Sequence, residues 1–359
     1  MTRHRANGSG RKGAPPPLGN LGFSHPWHLG RGASRCATVT ASLSLGLAAL
    51  SLIDAGGLIA MLQAAAPAIG CLSLFAGAVL ILRRWPRKGL ATILGGFLLV
   101  APMASTHSLV QHQRGDGGAV GETLTDLSNN PFAGASSSEE LMDVIRRIEP
   151  DALVLIEATE SHWRSLMYQG VYEYVPHVSG RVGPGGLVVA SRSQHLCLEL
   201  ASGAKCGSIV PVDAVAIDRF GSETPSYDSA VVALADGTVL FGVHAWSMRM
   251  SPLSRWREQQ EELVHWRWER RPPGAFIMAG DFNAGFSHPV FRRLAKDLAH
   301  APSGEFPWPR TWTITPSFPA IIQIDHLLAD GLLVVDSGVE PIARSDHAAV
   351  WATYTRIHE

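Results

Sequence analysis

The feature that most constrains this chain is an apolar run over residues 36–82, which a single charged residue, Asp54, interrupts. One membrane span needs about 20 apolar residues, so the run is too long for one span and far longer than the core helix of a soluble protein. A turn-forming Asp-Ala-Gly-Gly sequence begins at Asp54 and divides the run. The sequence therefore predicts one transmembrane helix near Thr38–Ile53 and a second near Leu58–Leu82.

A third apolar run, Gly89–Met103, follows a basic loop at Arg83–Lys88. Residues 36–106 are therefore predicted to form a membrane region with three transmembrane helices. A cleaved signal peptide is the competing interpretation, but a signal peptide has a short charged leader and only one apolar segment. The succession of apolar runs favours the membrane region.

Charge is distributed unevenly, although the whole chain has a formal net charge of only −1. Residues 1–106 contain 10 basic residues and one acidic residue, a net charge of +9. Residues 107–359 contain 20 basic and 30 acidic residues, a net charge of −10. Lysine and arginine flank the cytoplasmic ends of membrane helices. Residues 1–35, rich in Gly, Pro, Arg and Ser, are therefore predicted to be a disordered, basic cytoplasmic tail.

Three crossings from a cytoplasmic N-terminus place Asp54 and all of residues 107–359 outside the cytoplasmic membrane. This multi-pass topology leaves an outer part that is long enough to bury one large core. Its two cysteines, Cys197 and Cys206, are nine positions apart. That spacing suits a disulfide in an oxidising compartment, and two unrelated free thiols are the alternative.

Five short apolar runs in the outer part are each followed by polar residues and are each predicted to be a buried strand. They are Ala152–Ile156, Gly186–Ala190, Thr238–Val243, Ala275–Ala279 and Ile321–Ile324. Helices are predicted between some of them, notably at Ser137–Ile148 and Leu253–Trp268. Because α/β enzymes place their sites at the ends of strands, the polar residues that follow are candidate site residues.

The candidate residues at these strand ends are carboxylates, an amide and imidazoles, and no suitable cysteine cluster accompanies them. They are Glu157, His244, Asp281, Asn283 and Asp325. Hard oxygen ligands of this kind favour Mg²⁺ or Mn²⁺ over zinc.

The motifs of the outer part resemble, in their order, those of the endonuclease/exonuclease/phosphatase superfamily. They are Asn130, Ile148–Glu157, Gly186–Arg192, Val243-His244, Gly280-Asp-Phe-Asn-Ala284, Ile324-Asp325-His326 and Ser345-Asp346-His347. The resemblance covers nearly all of residues 124–354. It implies an α/β fold, a four-layered sandwich of two packed mixed sheets flanked by helices, and metal-dependent hydrolysis of phosphate esters.

The resemblance also implies a metal site. Glu157 is implied to be the principal ligand of Mg²⁺ or Mn²⁺, with Asn130 beside it and Asp346 completing the metal environment. The first motif offers two adjacent asparagines, Asn129 and Asn130, of which Asn130 is preferred.

Five further residues receive catalytic roles from the resemblance. Asp281 is implied to orient or deprotonate the attacking water, and Asn283 to steady the phosphate or the nucleophile. His347 is implied to contact the scissile phosphate, aligned by Asp325. His244 is implied to support the leaving group or the phosphate. These roles agree with the chemistry, because a positioned carboxylate or imidazole adds roughly 10²–10⁴-fold through proton transfer.

Residues next to the motifs receive weaker interpretations. His288 and His326 are interpreted as structural histidines. Arg249 and Trp256 lie in a segment after His244 that either lines a substrate groove or forms an amphipathic helix with a solvated basic face.

Three functions stay open from the sequence. The first is a membrane-anchored phosphatase or phosphodiesterase acting on a lipid-linked phosphate or pyrophosphate, an architecture similar to bacterial membrane proteins of this superfamily linked to teicoplanin resistance. The second is a tethered extracellular nuclease, and the third is a non-catalytic binding domain. DNA affinity comes mainly from basic residues that neutralise phosphates, so a net charge of −10 over residues 107–359 favours the first. The occupied motifs disfavour the third.

Overall fold

The computed structural model describes most of the predicted membrane region (residues 36–106) and most of the predicted catalytic part (residues 107–359). The described residues are 27–113, 123–131, 136, 138–168, 170, 172, 186–192, 210–211, 230–234, 236–249, 253–270, 274–303, 308–315 and 317–356. Cys197 and Cys206 lie outside these ranges, and their pairing stays a prediction. Cys36 and Cys71 are free thiols.

The membrane region folds into four helical segments. They are α1 (Trp27–Leu50), α2 (Leu58–Ala64), α3 (Ala66–Leu82) and α4 (Pro86–Gln113). Helix α1 begins at Trp27, so the prediction that residues 1–35 are disordered is wrong for residues 27–35. No proline separates these nine residues from the apolar run, and the helix extends backwards through them.

Among the described helices, one is long and apolar enough to cross a membrane, the Gly32–Leu50 part of α1. A second span exists if α2 and α3, which meet at an angle of 63°, are counted as one. The third predicted span, Gly89–Met103, lies within α4, which contains Pro102. The number of three spans therefore stays a prediction.

Helices α3 and α4 pack through reciprocal pairs of glycines. A Cβ atom on Gly70 would lie 2.8 Å from the carbonyl oxygen of Gly96, and one on Gly96 would lie 2.8 Å from that of Gly70. Gly77 and Gly89 form a second pair, with distances of 2.8 and 2.7 Å. Side chains cannot approach a carbonyl oxygen this closely, so glycine permits a backbone contact that other residues would prevent.

A valine at Gly77 should therefore push α3 and α4 apart. Overpacking of this kind costs about 1–3 kcal/mol. We expect Gly77→Val to lower the midpoint of thermal unfolding of the full chain in detergent. The control is Gly46→Val on α1, where no atom lies within 4 Å of the added Cβ. Equal losses in the two variants would contradict the glycine contact.

The described strands of the catalytic part form two mixed sheets. The first contains β1 (Thr123–Asn129), β2 (Ala152–Ile156), β3 (Leu187–Ser191), β10 (Leu332–Glu340) and β11 (Ala349–Arg356). The second contains β4 (Val210–Pro211), β5 (Ala230–Ala233), β6 (Val239–His244), β7 (Phe276–Asp281), β8 (Ala299–Ala301) and β9 (Asp325–Asp330). Their orders are β10-β11-β1-β2-β3 and β4-β5-β6-β7-β9-β8.

Helices cover the outer faces of both sheets. They are α5 (Ser138–Ile148) and α6 (Glu160–Tyr168) on the first sheet, and α7 (Leu253–His265), a π-helical turn (Trp266–Arg270) and α8 (Pro289–Ala295) on the second. Two mixed sheets flanked by helices were the predicted architecture, and this prediction is confirmed.

The inner strands are buried on both faces. In β2, Val154 packs into the core between the two sheets, whereas Leu153 packs beneath α5 and α6. In β7, Ile277 faces the first sheet and Met278 faces the helices of the second. This alternation follows from the period of two in a strand and explains why the predicted strands are continuously apolar.

One predicted strand is displaced. Residues 321–324 were expected to form a strand that ends before Asp325, but the strand β9 begins at Asp325 and pairs with β7. Residues 321–324 leave the sheet because their backbone bonds to another segment: Ile322 bridges Trp312, and the amide of Ile324 donates to the hydroxyl of Thr311. The predicted strand at residues 321–324 is therefore wrong, and the strand begins at Asp325 instead.

The core between the sheets contains a buried carboxyl group. Asp126 of β1 is fully buried, and neither of its carboxyl oxygens has a well-formed hydrogen bond to a described residue. Burial raises the pKa of Asp126 to about 8, although the Leu127 amide opposes the shift. Asp126 is therefore neutral in the folded protein at pH 7, whereas the same group ionises near pH 4 in the unfolded chain.

The raised pKa of Asp126 predicts a pH-dependent loss of stability. The unfolded state releases the proton first, so the free energy of unfolding falls as pH rises from about 4 to about 8. Asp126→Asn removes this dependence, and its unfolding midpoint should exceed that of the wild type by a margin that widens between pH 5 and pH 7.5. The exposed Asp143→Asn substitution on α5 is the control. A difference between the two midpoints that does not change with pH would contradict the raised pKa of Asp126.

Candidate active site

Three adjacent strands of the second sheet place three predicted site residues in one row. β6 and β7 are parallel, and His244 pairs with Asp281 at their ends. β7 and β9 are antiparallel, and Asp281 pairs with Asp325. His244, Asp281 and Asp325 are each at most 3% exposed. The register of the three strands therefore places these side chains next to one another.

The first sheet delivers two more residues to the same place. Asn130 and Glu157 directly follow the parallel strands β1 and β2, so both lie at the same edge. Across the gap between the sheets, the side-chain amide of Asn130 donates to Oδ2 of Asp281 over 3.4 Å. Oε1 of Glu157 lies 3.7 Å from Nε2 of His244. The strand ends of the two sheets therefore meet at one site.

His347 connects the last motif to this row. Its Nδ1 lies 3.0 Å from both carboxylate oxygens of Asp325, and its Nε2 lies 3.8 Å from Oδ2 of Asp281. Asp346 is also close, with Oδ1 4.0 Å from Nε2 of His347. The hydroxyl of Ser345 donates to the carbonyl oxygen of Asn130 over 2.9 Å and ties the motif to the first sheet.

Asn283 orients Asp281 by two hydrogen bonds. Its backbone amide donates to Oδ1 of Asp281 over 2.8 Å, and its side-chain amide donates to Oδ2 over 3.1 Å. The indole of Trp256 in α7 donates to the carbonyl oxygen of Asn283 and fixes its backbone. Asn283 and Glu157 have φ angles of +46° and +54°, a left-handed conformation that is uncommon for non-glycine residues.

The electrostatics of the row are those of a buried acidic cluster around one imidazolium. Burial raises the pKa of Asp281 to about 8; His347 and the Asn283 amide oppose this shift, and Asp325 and Glu157 add to it. Burial alone would lower the pKa of His347, but Asp325, Asp281 and Asp346 together raise it to about 10. His347 is therefore charged, and its Nδ1–H donates to Asp325.

His244 has the opposite character. Burial, assisted by the charge on His347, lowers the pKa of His244 to about 3. This imidazole is neutral at physiological pH and can donate one hydrogen bond without adding a charge.

The side chains around the site fit a divalent cation. Oδ1 of Asp346 is buried and has no hydrogen-bond partner among the described residues, while its Oδ2 accepts from the Trp312 indole over 3.1 Å. Candidate ligand atoms of Asp281, Asp325 and His347 lie within 4.8 Å of one another, and because His347 is charged, the carboxylates are the donors of this group. Oxygen donors at this density suit Mg²⁺ or Mn²⁺. This cluster differs from the predicted ligand set of Glu157, Asn130 and Asp346, which stays a prediction.

Sequence reasoning did not identify every residue that builds the site. Trp312 holds Asp346 from a segment without regular secondary structure, and no sequence pattern indicates that contact. Arg249 lies over the Trp312 ring at 4.9 Å and lines the site cavity, which favours the groove interpretation for this residue. His288 and His326 make structural hydrogen bonds to the carbonyl oxygens of Ala60 and Ala284, as interpreted.

Two packed mixed sheets with a buried acidic and histidine cluster at their common edge are typical of metal-dependent α/β hydrolases. A model of the endonuclease/exonuclease/phosphatase family matches residues 117–347, and the chain belongs to this family. Members of the family are usually metal-dependent hydrolases of phosphoester bonds. The resemblance stated from the motifs is confirmed at this level.

Several solved structures are similar. A truncated TDP2 from Caenorhabditis elegans is 14% identical, with 65% of this chain and 98% of that chain covered and a TM-score of 0.48. An endonuclease/exonuclease/phosphatase from Beutenbergia cavernae is 20% identical, with 65% and 72% covered and a TM-score of 0.44. No match was found among curated protein sequences. Family membership follows from the match over residues 117–347 and not from these structures.

The glycine that precedes Asp281 sets the distance between β6 and β7. Gly280 has a φ angle of +149°, and a Cβ atom there would lie 1.9 Å from the carbonyl oxygen of Val243. A side chain at this position would force the two strands apart and separate His244 from Asp281.

Gly280→Ala should therefore disrupt the fold around the site. We expect a large loss of thermal stability, beyond the roughly 1–3 kcal/mol that an unfavourable φ alone costs. The matched control is Gly237→Ala, because Gly237 also has a positive φ of +81° but no atom within 4 Å of an added Cβ. Thermal unfolding of both variants measures the difference, and equal losses would show that the strand contact is unimportant.

Proposed function

We propose that this chain is a membrane-anchored, divalent-metal-dependent hydrolase of phosphate esters. The observation that carries the proposal is the Asp325–His347 pair, which faces Asp281 across 3.8 Å in a buried site. A charged imidazole held by one carboxylate, next to a second carboxylate that is held by amides, can donate to a phosphate and position a water molecule at once.

Each residue has a role that its contacts support. Asp325 holds the ring of His347 so that Nε2–H can donate to a phosphoryl oxygen. A divalent cation beside Asp281 would lower the pKa that burial raises, and the ionised Asp281, oriented by Asn283, would then accept a proton from the attacking water. His244 is neutral and donates a hydrogen bond to the phosphate or the leaving oxygen.

The metal site of the proposal contains Glu157, with Asn130 and Asp346 beside it. The side-chain amide of Asn130 lies 3.4 Å from Oδ2 of Asp281, so a residue that would hold the metal contacts the residue that would accept the proton. A bound Mg²⁺ or Mn²⁺ supplies neutralisation of the charge that develops on the phosphoryl oxygens. The protein residues supply the orientation and the proton transfers.

The contacts of Asp54 support the proposed topology. Oδ1 of Asp54 accepts from the backbone amide of Val290, and Oδ2 from the guanidinium of Arg293. The loop after α1 therefore lies on the same side as the catalytic part. The basic turn at Arg83–Lys88 lies at the far end of α3, whose 17 residues span about 25 Å. With this turn in the cytoplasm, the catalytic part is outside, as the charge distribution predicts.

The position of the site next to the membrane region favours a lipid-linked phosphate or pyrophosphate as the substrate. A nuclease remains the second candidate, although the net charge of −10 over residues 107–359 gives it little long-range attraction for DNA.

The proposal predicts that activity depends on a metal and on the named residues. The full chain in detergent should hydrolyse bis(4-nitrophenyl) phosphate with Mg²⁺ or Mn²⁺ and should lose this activity when the metal is chelated. His347→Gln and Asp281→Asn should each lower kcat by roughly 10²–10⁴-fold, since the first removes the charged donor to the phosphate and the second removes the proton acceptor. Release of 4-nitrophenolate measures the rate.

The matched controls are exposed residues of the same types. His265→Gln on α7 and Asp143→Asn on α5 should retain the wild-type rate. Turnover that survives both His347→Gln and Asp281→Asn would overturn the site assignment.

A further inference from the structure

The site opens into a cavity of about 620 Å³. Glu157, Asp281 and His347 are among the residues that line it. The rest of the wall is built largely from aliphatic side chains, and a phosphate group alone fills only a fraction of such a volume. The cavity therefore has room for a second, apolar part of the substrate.

One apolar wall of the cavity comes from the membrane region. Leu58, Met61 and Leu62 of α2 line the cavity together with Ala64 and Ala65. Ile314 and Ile321 of the catalytic part also line it. Leu58 is 71% exposed, Met61 39% and Ile314 65%, so apolar side chains from both parts are open to a ligand.

Helix α2 is held against the catalytic part by specific contacts. The imidazole of His288 is buried and lies 2.9 Å from the carbonyl oxygen of Ala60 in α2. The side-chain amide of Gln63 donates to the carbonyl oxygens of Leu50 and Ile53 and fixes the helix against the end of α1. The contacts of Asp54 with Val290 and Arg293 hold the loop between α1 and α2 against the catalytic part. α2 is therefore part of the folded site.

The bend after α2 separates this wall from α3. The two helices meet at an angle of 63° across Ala65 and do not form one straight helix. Because Ala60 of α2 contacts the buried His288, α2 packs against the catalytic part.

We propose that α2 is the chain-binding half of the active site and that the substrate is a phosphate ester of a long alkyl or isoprenoid chain. The chain lies against Leu58 and Met61 on one side and Ile314 on the other, while the phosphate reaches His347. This inference rests on the proposed function, because it assigns the substrate class of the same site.

The test compares two esters with the same leaving group, methyl 4-nitrophenyl phosphate and hexadecyl 4-nitrophenyl phosphate. Each buried methylene adds up to about fourfold in binding, so the full chain in phosphatidylcholine nanodiscs should favour the hexadecyl ester in kcat/KM by at least tenfold. In Leu58→Ser/Met61→Ser, the ratio of the two kcat/KM values should fall at least tenfold. Ile314→Ser changes the opposite wall and should lower the same ratio.

The matched control is Leu52→Ser. Leu52 is 75% exposed in the loop after α1, close in sequence to Leu58, and does not line the cavity. This variant should keep the wild-type ratio. The long ester partitions into the nanodisc in the same way for every variant, so the control separates partitioning from binding to α2. The midpoint of thermal unfolding of each variant reports whether the fold is retained.

The possible results separate the two proposals. Hydrolysis of neither ester, with metal present, would overturn the proposed function itself. Equal kcat/KM for both esters, or a ratio that survives both Leu58→Ser/Met61→Ser and Ile314→Ser, would overturn the chain-binding role of α2 and leave the hydrolase in place. Cleavage of plasmid DNA faster than of either ester would also overturn the chain-binding role of α2.

Discussion

The geometry of the site depends on the close contact between β6 and β7 at Gly280. Gly280 has no side chain, so its backbone can lie against the carbonyl oxygen of Val243. His244 and Asp281, the next residues along β6 and β7, are therefore side by side. The antiparallel pairing of β9 then adds Asp325 to the same row, and Asp325 in turn holds His347. The glycine before the aspartate in the Gly-Asp-Phe-Asn motif is therefore required for steric reasons, whatever the reaction.

The second constraint is the accumulation of negative charge in a buried place. The carboxylates of Asp281 and Asp325 lie close together beside His347, and burial makes the ionisation of Asp281 costly. His347 supplies one positive charge, and its own pKa is raised by the carboxylates around it. A divalent cation supplies the remaining compensation in the proposed function. Charge balance thus links the stability of the site to its chemistry.

Much of this arrangement could be predicted from the sequence. Residues that follow buried strands gather at the edge of a sheet, and five apolar runs were enough to indicate Glu157, His244, Asp281 and Asp325 together. Local pattern failed where pairing is decided by distant residues: residues 321–324 are largely apolar, yet they bond to Thr311 and Trp312 outside the sheet. The same limit applies to α2. Its apolar composition predicted part of a membrane span, and no sequence pattern indicated the contact of Ala60 with His288.

The pairing of β1 with β11 has a consequence for how the chain folds. Thr125 and Thr353 face each other across these strands, although 228 positions separate them in the chain. β11 lies inside the first sheet, between β10 and β1, so that sheet cannot be completed before residues up to Arg356 have been synthesised. Contacts this distant in sequence form slowly. His347 lies two residues before β11, and the candidate site therefore stays incomplete until the same late stage.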